Sequence, residues 1–197
     1  MHLPRLVVAS NNPGKLRELG RLLAPLGIEA LPQSAFGVPE AEEPHVTFVE
    51  NALAKARNAA RHAGLPALAD DSGILIDALG GAPGVNSARF AGEPKSDERN
   101  NRKMVEALRK ESNRSAHYYC VIVLVRDTLD PMPVIAEGTW HGEIVLEPRG
   151  SGGFGYDPYF LLPDRGLTAA ELPLEEKNRL SHRAQALAAL AARLREA

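Results

Sequence analysis

The chain has 197 residues, 44% of them hydrophobic, which is enough to build a buried interior and too much for a disordered chain. Its formal net charge is −2, without the basic excess of a protein that grips a long polyanion, so no nucleic-acid partner is expected. The one cysteine, Cys120, excludes an internal disulfide. No apolar run approaches the ~18–20 residues of a membrane span, and the opening Met-His-Leu-Pro-Arg has no signal-peptide core. A cytoplasmic protein is expected.

Leu6–Ala9 reads as a short strand that ends in Ser10-Asn11-Asn12-Pro13-Gly14-Lys15. Leu16, Leu19, Leu23 and Leu26 then recur at helical spacing, with Asn12 as cap, Pro13 at the first helical position and Gly27 as the stop. Ile28–Leu31 fits a second strand, and Gln33–His45 is irregular and acidic, with Glu40, Glu42 and Glu43. Thr47-Phe48-Val49-Glu50 has the form of a capping box and opens a helix to about Ala63, stopped by Gly64.

Ala67–Ala69 fits a short strand before Asp70-Asp71-Ser72-Gly73; Ile74–Ile76 continues extended, and Gly80–Gly84 is a loop. Asp97 to about Lys110 reads as a helix with Met104, Val105 and Leu108 inward. Tyr118–Val125 is nearly all apolar and β-branched, as in a strand buried on both faces. Val134–Trp140 and Glu143–Leu146 are expected as strands around a turn at His141-Gly142, with Trp140 in the core. Tyr159–Leu162 is a further strand; Glu175–Arg179 and Ser181–Arg195 are helical, the latter with Leu187, Leu190 and Leu194 on one face. These elements predict one α/β domain over residues 1–197. A central twisted mixed β-sheet is flanked by helices, in two lobes with the active site in the cleft between them.

Four clusters carry chemistry, and three of them also have a plain reading. Ser10–Lys15 is either a helix cap followed by a surface lysine, or a set of phosphate donors at a helix N-terminus. Asp70 and Asp71, adjacent on an extended chain, point to opposite sides. One carboxylate could then meet a hard cation such as Mg²⁺ while the other braces the backbone, although an Asx turn into Gly73 explains the pair equally well. Residues 150–158, Gly-Ser-Gly-Gly-Phe-Gly-Tyr-Asp-Pro, hold four glycines in six positions around two aromatics and a carboxylate, which suits a loop lying against a flat ring. Ser181-His182-Arg183 could cap a helix or offer hydrogen-bond donors to a base. No Ser-His-Asp arrangement or zinc-ligand spacing can be read.

These blocks in this order resemble the inosine triphosphate pyrophosphatase family in its bacterial branch. The matching residues are Ser10–Lys15, Thr47–Ala52 with Lys55, Ala69–Gly73, Gly80–Gly84, Ser87–Arg89, Gly152–Pro158, Glu175–Lys177 and Ser181–Arg183. The family more often has Thr-Gly-Asn where this chain has Ser10-Asn11-Asn12; Ser10 keeps the hydroxyl.

The resemblance implies Mg²⁺-dependent hydrolysis of ITP, dITP and XTP to the monophosphate and pyrophosphate, by a homodimer that clears deaminated purines from the nucleotide pool. It implies Asp71 as proton acceptor and metal ligand. Glu42 would be a second acidic metal contact, with the adjacent Glu43 as the alternative. Ser10, Asn11, Asn12, Pro13, Gly14, Lys15 and Lys55 would cradle the triphosphate. Ser72, Phe154, Gly155, Tyr156, Asp157, Lys177, His182 and Arg183 would complete the substrate contacts.

Overall fold

The computed structural model describes residues 3–196; Met1, His2 and Ala197, which the sequence places in the same domain, lie outside the described residues. Strand β1 (Arg5–Val8) leads into helix α1 (Pro13–Leu23), where Asn12 Oδ1 accepts the N–H groups of Gly14 and Lys15. Pro13 takes a position whose N–H would have no helical partner anyway. A 3-10 turn closes at Gly27, whose φ of +70° lies in the left-handed region that glycine enters without strain, and β2 (Glu29–Pro32) follows.

Helix α2 (Phe48–Ala63) starts and stops at its sequence signals. Thr47 Oγ1 accepts the Glu50 N–H, the Thr47 hydroxyl donates to the Glu50 carboxylate at 2.5 Å, and Gly64 ends the helix at φ +64°. Then come β3 (Ala67–Ile76), α3 (Asp97–Leu108), β4 (Ser115–Val125), β5 (Val134–Ile144), β6 (Phe160–Leu162), β7 (Leu167–Thr168), α4 (Leu174–Leu180) and α5 (His182–Glu196). The seven strands lie in the order β2-β1-β3-β4-β5-β6-β7. β1 is parallel to β2 and β3, whereas β6 is antiparallel to β5 and β7, so the sheet is mixed and open, as expected of this α/β chain.

Two strand expectations are corrected. The sequence breaks the chain at Asp70, but β3 runs unbroken through Asp70-Asp71-Ser72-Gly73. The strand tolerates two carboxylates because its alternation sends them to opposite sides, where each meets an ammonium group. Likewise β5 is one strand through His141-Gly142, with no turn. A Cβ on Gly142 would stand 2.5 Å from the Leu161 carbonyl oxygen and 2.7 Å from the Phe160 ring. The glycine therefore serves the close approach of β6.

The chain forms two compact units, each with its own core. The first holds the residues up to Asp71, Cys120–Gly138 and the chain from Gln185. Its core joins Leu6 and Val8 of β1, Leu19 and Leu23 of α1, the inner part of β4 including Cys120, and Leu187 and Leu190 of α5. The second holds Ser72–Tyr119 and Thr139–Ala184. Its core sets Met104 and Leu108 of α3 against Ile74 and Ile76, with Tyr118, Trp140 and Phe160 in ring contact at centroid distances of 4.7–6.4 Å. Each such buried side chain contributes about 1.5–3 kcal/mol relative to exposure. No described helix is long and apolar enough to cross a membrane.

Candidate active site

In the first unit, the end of β1 turns tightly: Ser10 Oγ accepts the Asn12 N–H at 3.1 Å while Asn12 caps α1. Lys15, one turn into the helix, reaches Asp70 with its ammonium 2.9 and 2.8 Å from the two carboxylate oxygens. Asp70 is 5% exposed. Of the Asp70-Asp71 pair, Asp70 is thus the one that braces. Asp71 turns the other way, toward Lys55 of α2, at 3.3 Å.

Lys55 also donates to Glu43 at 2.8 Å, so two carboxylates flank one ammonium group. Burial raises the Asp71 pKa above the ordinary aspartate value; the Lys55 charge opposes that rise and the Glu43 charge adds to it. Burial presses Lys55 downward, but Asp71 and Glu43 outweigh it and hold its pKa above the ordinary lysine value.

The acidic segment is tied to α2 by two asparagines: Asn51, part of the Thr47–Ala52 block but with no role assigned to it there, and Asn58, which no motif contains. Asn51, buried, exchanges hydrogen bonds with both backbone groups of His45, and Asn58 donates to the Pro39 carbonyl at 2.9 Å. This anchoring turns Glu43 toward Lys55 and leaves Glu42 exposed. Among the described residues no three His, Cys, Asp or Glu side chains gather as a metal-ligating group.

In the second unit, the glycine-rich loop folds around Asp157. One oxygen of that carboxylate accepts the Phe154 N–H at 2.8 Å and takes Lys177 Nζ at 2.5 Å; the other accepts the Tyr118 hydroxyl at 3.3 Å. Gly153, at φ +73°, is obligatory, because a Cβ would fall 2.1 Å from Asp157 Oδ2. Asp157 and Tyr156 are both buried, and the Tyr156 hydroxyl donates to the Ser87 carbonyl at 2.8 Å. They build the loop, and the ring they present is that of Phe154, 70% exposed, with Lys177 Nζ 5.3 Å from its centroid.

His182, at the start of α5, stacks on Tyr118 at 4.7 Å and 10° between planes; Arg183 donates to Ser72 Oγ at 3.4 Å. Tyr118 was not expected at the site, and only its place in β4 brings it against both His182 and Asp157. Burial, then the Asp157 charge, hold its hydroxyl well above the ordinary tyrosine pKa, so it stays a donor.

Each unit thus collects one kind of chemistry: ammonium groups, carboxylates and a capped helix N-terminus in the first, an aromatic face and hydrogen-bond donors in the second. Known proteins have similar chains. It is 68% identical over 192 residues to the dITP/XTP pyrophosphatase of Nitrosomonas europaea, covering 98% of this chain and 95% of that one. To the dITP/XTP pyrophosphatase of Ralstonia nicotianae it is 66% identical over 194 residues, covering 97% and 96%. Among solved structures, a HAM1 protein from Coxiella burnetii superposes with a TM-score of 0.96 at 52% identity over the full length of both chains. Residues 6–193 match the Ham1 family, and the chain belongs to it.

Proposed function

We propose that this chain hydrolyses the triphosphates of deaminated purines (dITP, ITP and XTP) to the nucleoside monophosphate and pyrophosphate, and so clears them from the nucleotide pool. The observation that carries the reading is the Glu43–Lys55–Asp71 group, a base and a cation held side by side, in a chain whose relatives are named for this reaction.

A triphosphate brings about four negative charges, so a protein of net charge −2 needs a local cationic cradle. Lys15 and Lys55 supply charge, and the capped start of α1 supplies aligned N–H groups. Lys15 can keep Asp70 and still donate to a phosphate, because an ammonium has three protons. Cleavage breaks the bond between the α-phosphorus and the oxygen bridging to the β-phosphorus, and its electron pair leaves with pyrophosphate. Water supplies the new oxygen, and Asp71 accepts a proton from it. A raised pKa suits that task, since a better base takes the proton more readily while still ionised near neutral pH.

Glu43 and Asp71 fit Mg²⁺, which favours one or two carboxylates and leaves its other positions to water and phosphate oxygens. Glu43, not Glu42, takes the second acidic place, because the anchored segment turns it inward. When bound, the ion supplies positive charge that offsets the phosphates and the departing pyrophosphate.

For the base, Phe154 offers a stacking face, and His182 and Arg183 offer donors to a 6-oxo group. Adenine places a 6-amino donor there and would leave those donors unpaired, a mismatch that can be worth roughly 10⁴-fold. The protein is expected to act as a cytoplasmic homodimer on a free nucleotide, without nucleic acid or membrane; sedimentation of the purified chain reads the assembly. The function itself is tested by kcat/KM for dITP, XTP and dATP in the wild type and in Arg183→Ala. The wild type should favour dITP and XTP over dATP by at least about 10²-fold, and the variant should narrow that ratio. Equal use of dATP by the wild type would refute the base assignment.

A further inference from the structure

Helix α3 grips the glycine-rich loop at a single residue. Asp97 and Asn101 are four apart and so share one face of the helix. Asp97 Oδ2 accepts the Gly155 N–H at 2.8 Å, and Asn101 Nδ2 donates to the Gly155 carbonyl at 2.9 Å. Both backbone groups of one loop residue are therefore held by two side chains of one helix. The residues on either side are fixed as well: the Phe154 N–H by Asp157, and the Tyr156 hydroxyl by the Ser87 carbonyl, which also accepts from Asn100 Nδ2 at 3.3 Å. What this anchoring leaves exposed is the Phe154 ring.

Asn101 gives a second, independent indication. It is 8% exposed, and its Oδ1 is buried with no hydrogen-bond partner among the described residues. A half-satisfied amide destabilises an interior, and leucine, which branches at the same carbon and is somewhat bulkier, would remove the unpaired oxygen. For the core alone, asparagine is the worse choice; its Nδ2 bond to Gly155 accounts for it.

We propose that Asp97 and Asn101 are positioning residues of the active site: they hold Gly155 so that Phe154 stands ready to stack on the purine. The inference rests on the nucleotide reading above. Neither residue touches the reacting atoms. Their effect is on the fraction of time the loop is competent to bind, and apparent affinity falls in proportion to that fraction. Stacking on the base acts alike in the ground and transition states, so its loss moves KM and leaves kcat.

The test measures kcat, KM for dITP with Mg²⁺, Tm, and amide hydrogen exchange across residues 152–157. The proteins are the wild type, Asp97→Ala, Asp97→Asn and Asn101→Leu. Asp97→Ala and Asn101→Leu should raise KM about tenfold with kcat within about twofold, and should speed exchange in the loop. Asn101→Leu should do so with no fall in Tm, which a purely structural role would not produce. Asp97→Asn, whose Oδ1 can still accept the Gly155 N–H, should stay near the wild type. An active wild type with unchanged KM in both Asp97→Ala and Asn101→Leu overturns the positioning role and leaves the function standing. A wild type inactive on dITP overturns the nucleotide reading, and the inference with it.

Discussion

Asp71 sits where burial and charge pull in different directions. Burial raises its pKa above 3.8, Lys55 draws it back, and Glu43 pushes it up again, with the net shift upward. A carboxyl with a raised folded-state pKa holds its proton more tightly in the folded chain than in the unfolded one. Its contribution to stability is present at low pH and is lost as pH rises through the folded value. At pH 8 the ionised Asp71 is therefore a liability for the fold, at the position where the proposed reaction needs a base. Asp71→Asn should lower kcat by about 10²–10⁴-fold, while its Tm at pH 8 in EDTA should equal or exceed that of the wild type. A clear fall in Tm would show that the carboxylate is structural. Asp71 and Lys55 were each legible as motif residues, though not as partners in an ion pair. That Glu43 rather than Glu42 faces Lys55 was not legible, because neighbouring glutamates in an acidic segment differ only in which way Asn51 and Asn58 turn the backbone. Tyr118 and Asn101 gave no local sign either: their partners lie 39 and 54 residues away.

At the level of elements, helices were easier to read than strands. α2 begins at Thr47 and stops at Gly64 because capping and left-handed termination are local events that the sequence spells out. The continuity of β3 and β5 depends on what lies beside them: two distant lysines for β3, and Phe160 with Leu161 for β5. Read alone, Asp70-Asp71 and Gly142 look like breaks. The glycines make the contrast measurable. A Cβ at Gly142 meets β6 backbone at 2.5 Å, whereas one at Gly20, inside α1, meets nothing within 4 Å. Gly142→Ala should destabilise the protein by about 2 kcal/mol or more, a Tm loss of roughly 4–8 °C. Gly20→Ala should stabilise it by about 0.5–1 kcal/mol through helix propensity. Thermal melts of the two variants against the wild type decide this, and equal melts would mean that β6 does not approach β5 as closely as described.

Over the whole molecule, each unit has its own core and its own share of the chemistry. The first holds Asp71, Glu43, Lys15 and Lys55 of the candidate site; the second holds Phe154, His182 and Arg183, on a loop fixed by hydrogen bonds and a helix start stacked on Tyr118. The α/β class, the mixed sheet and the order of the motifs were all readable from the chain, because they are set by periodicity and by short signals. The residues that hold the site in shape were not, because they act through the folded chain. The central claim, that the chain releases pyrophosphate from deaminated purine triphosphates, is tested most directly by following dITP with ³¹P NMR in Mg²⁺ and then in excess EDTA. With Mg²⁺ the spectrum should show dIMP and pyrophosphate as the products, and EDTA should suppress the reaction. Formation of dIDP and orthophosphate, or turnover undiminished in EDTA, would contradict the account.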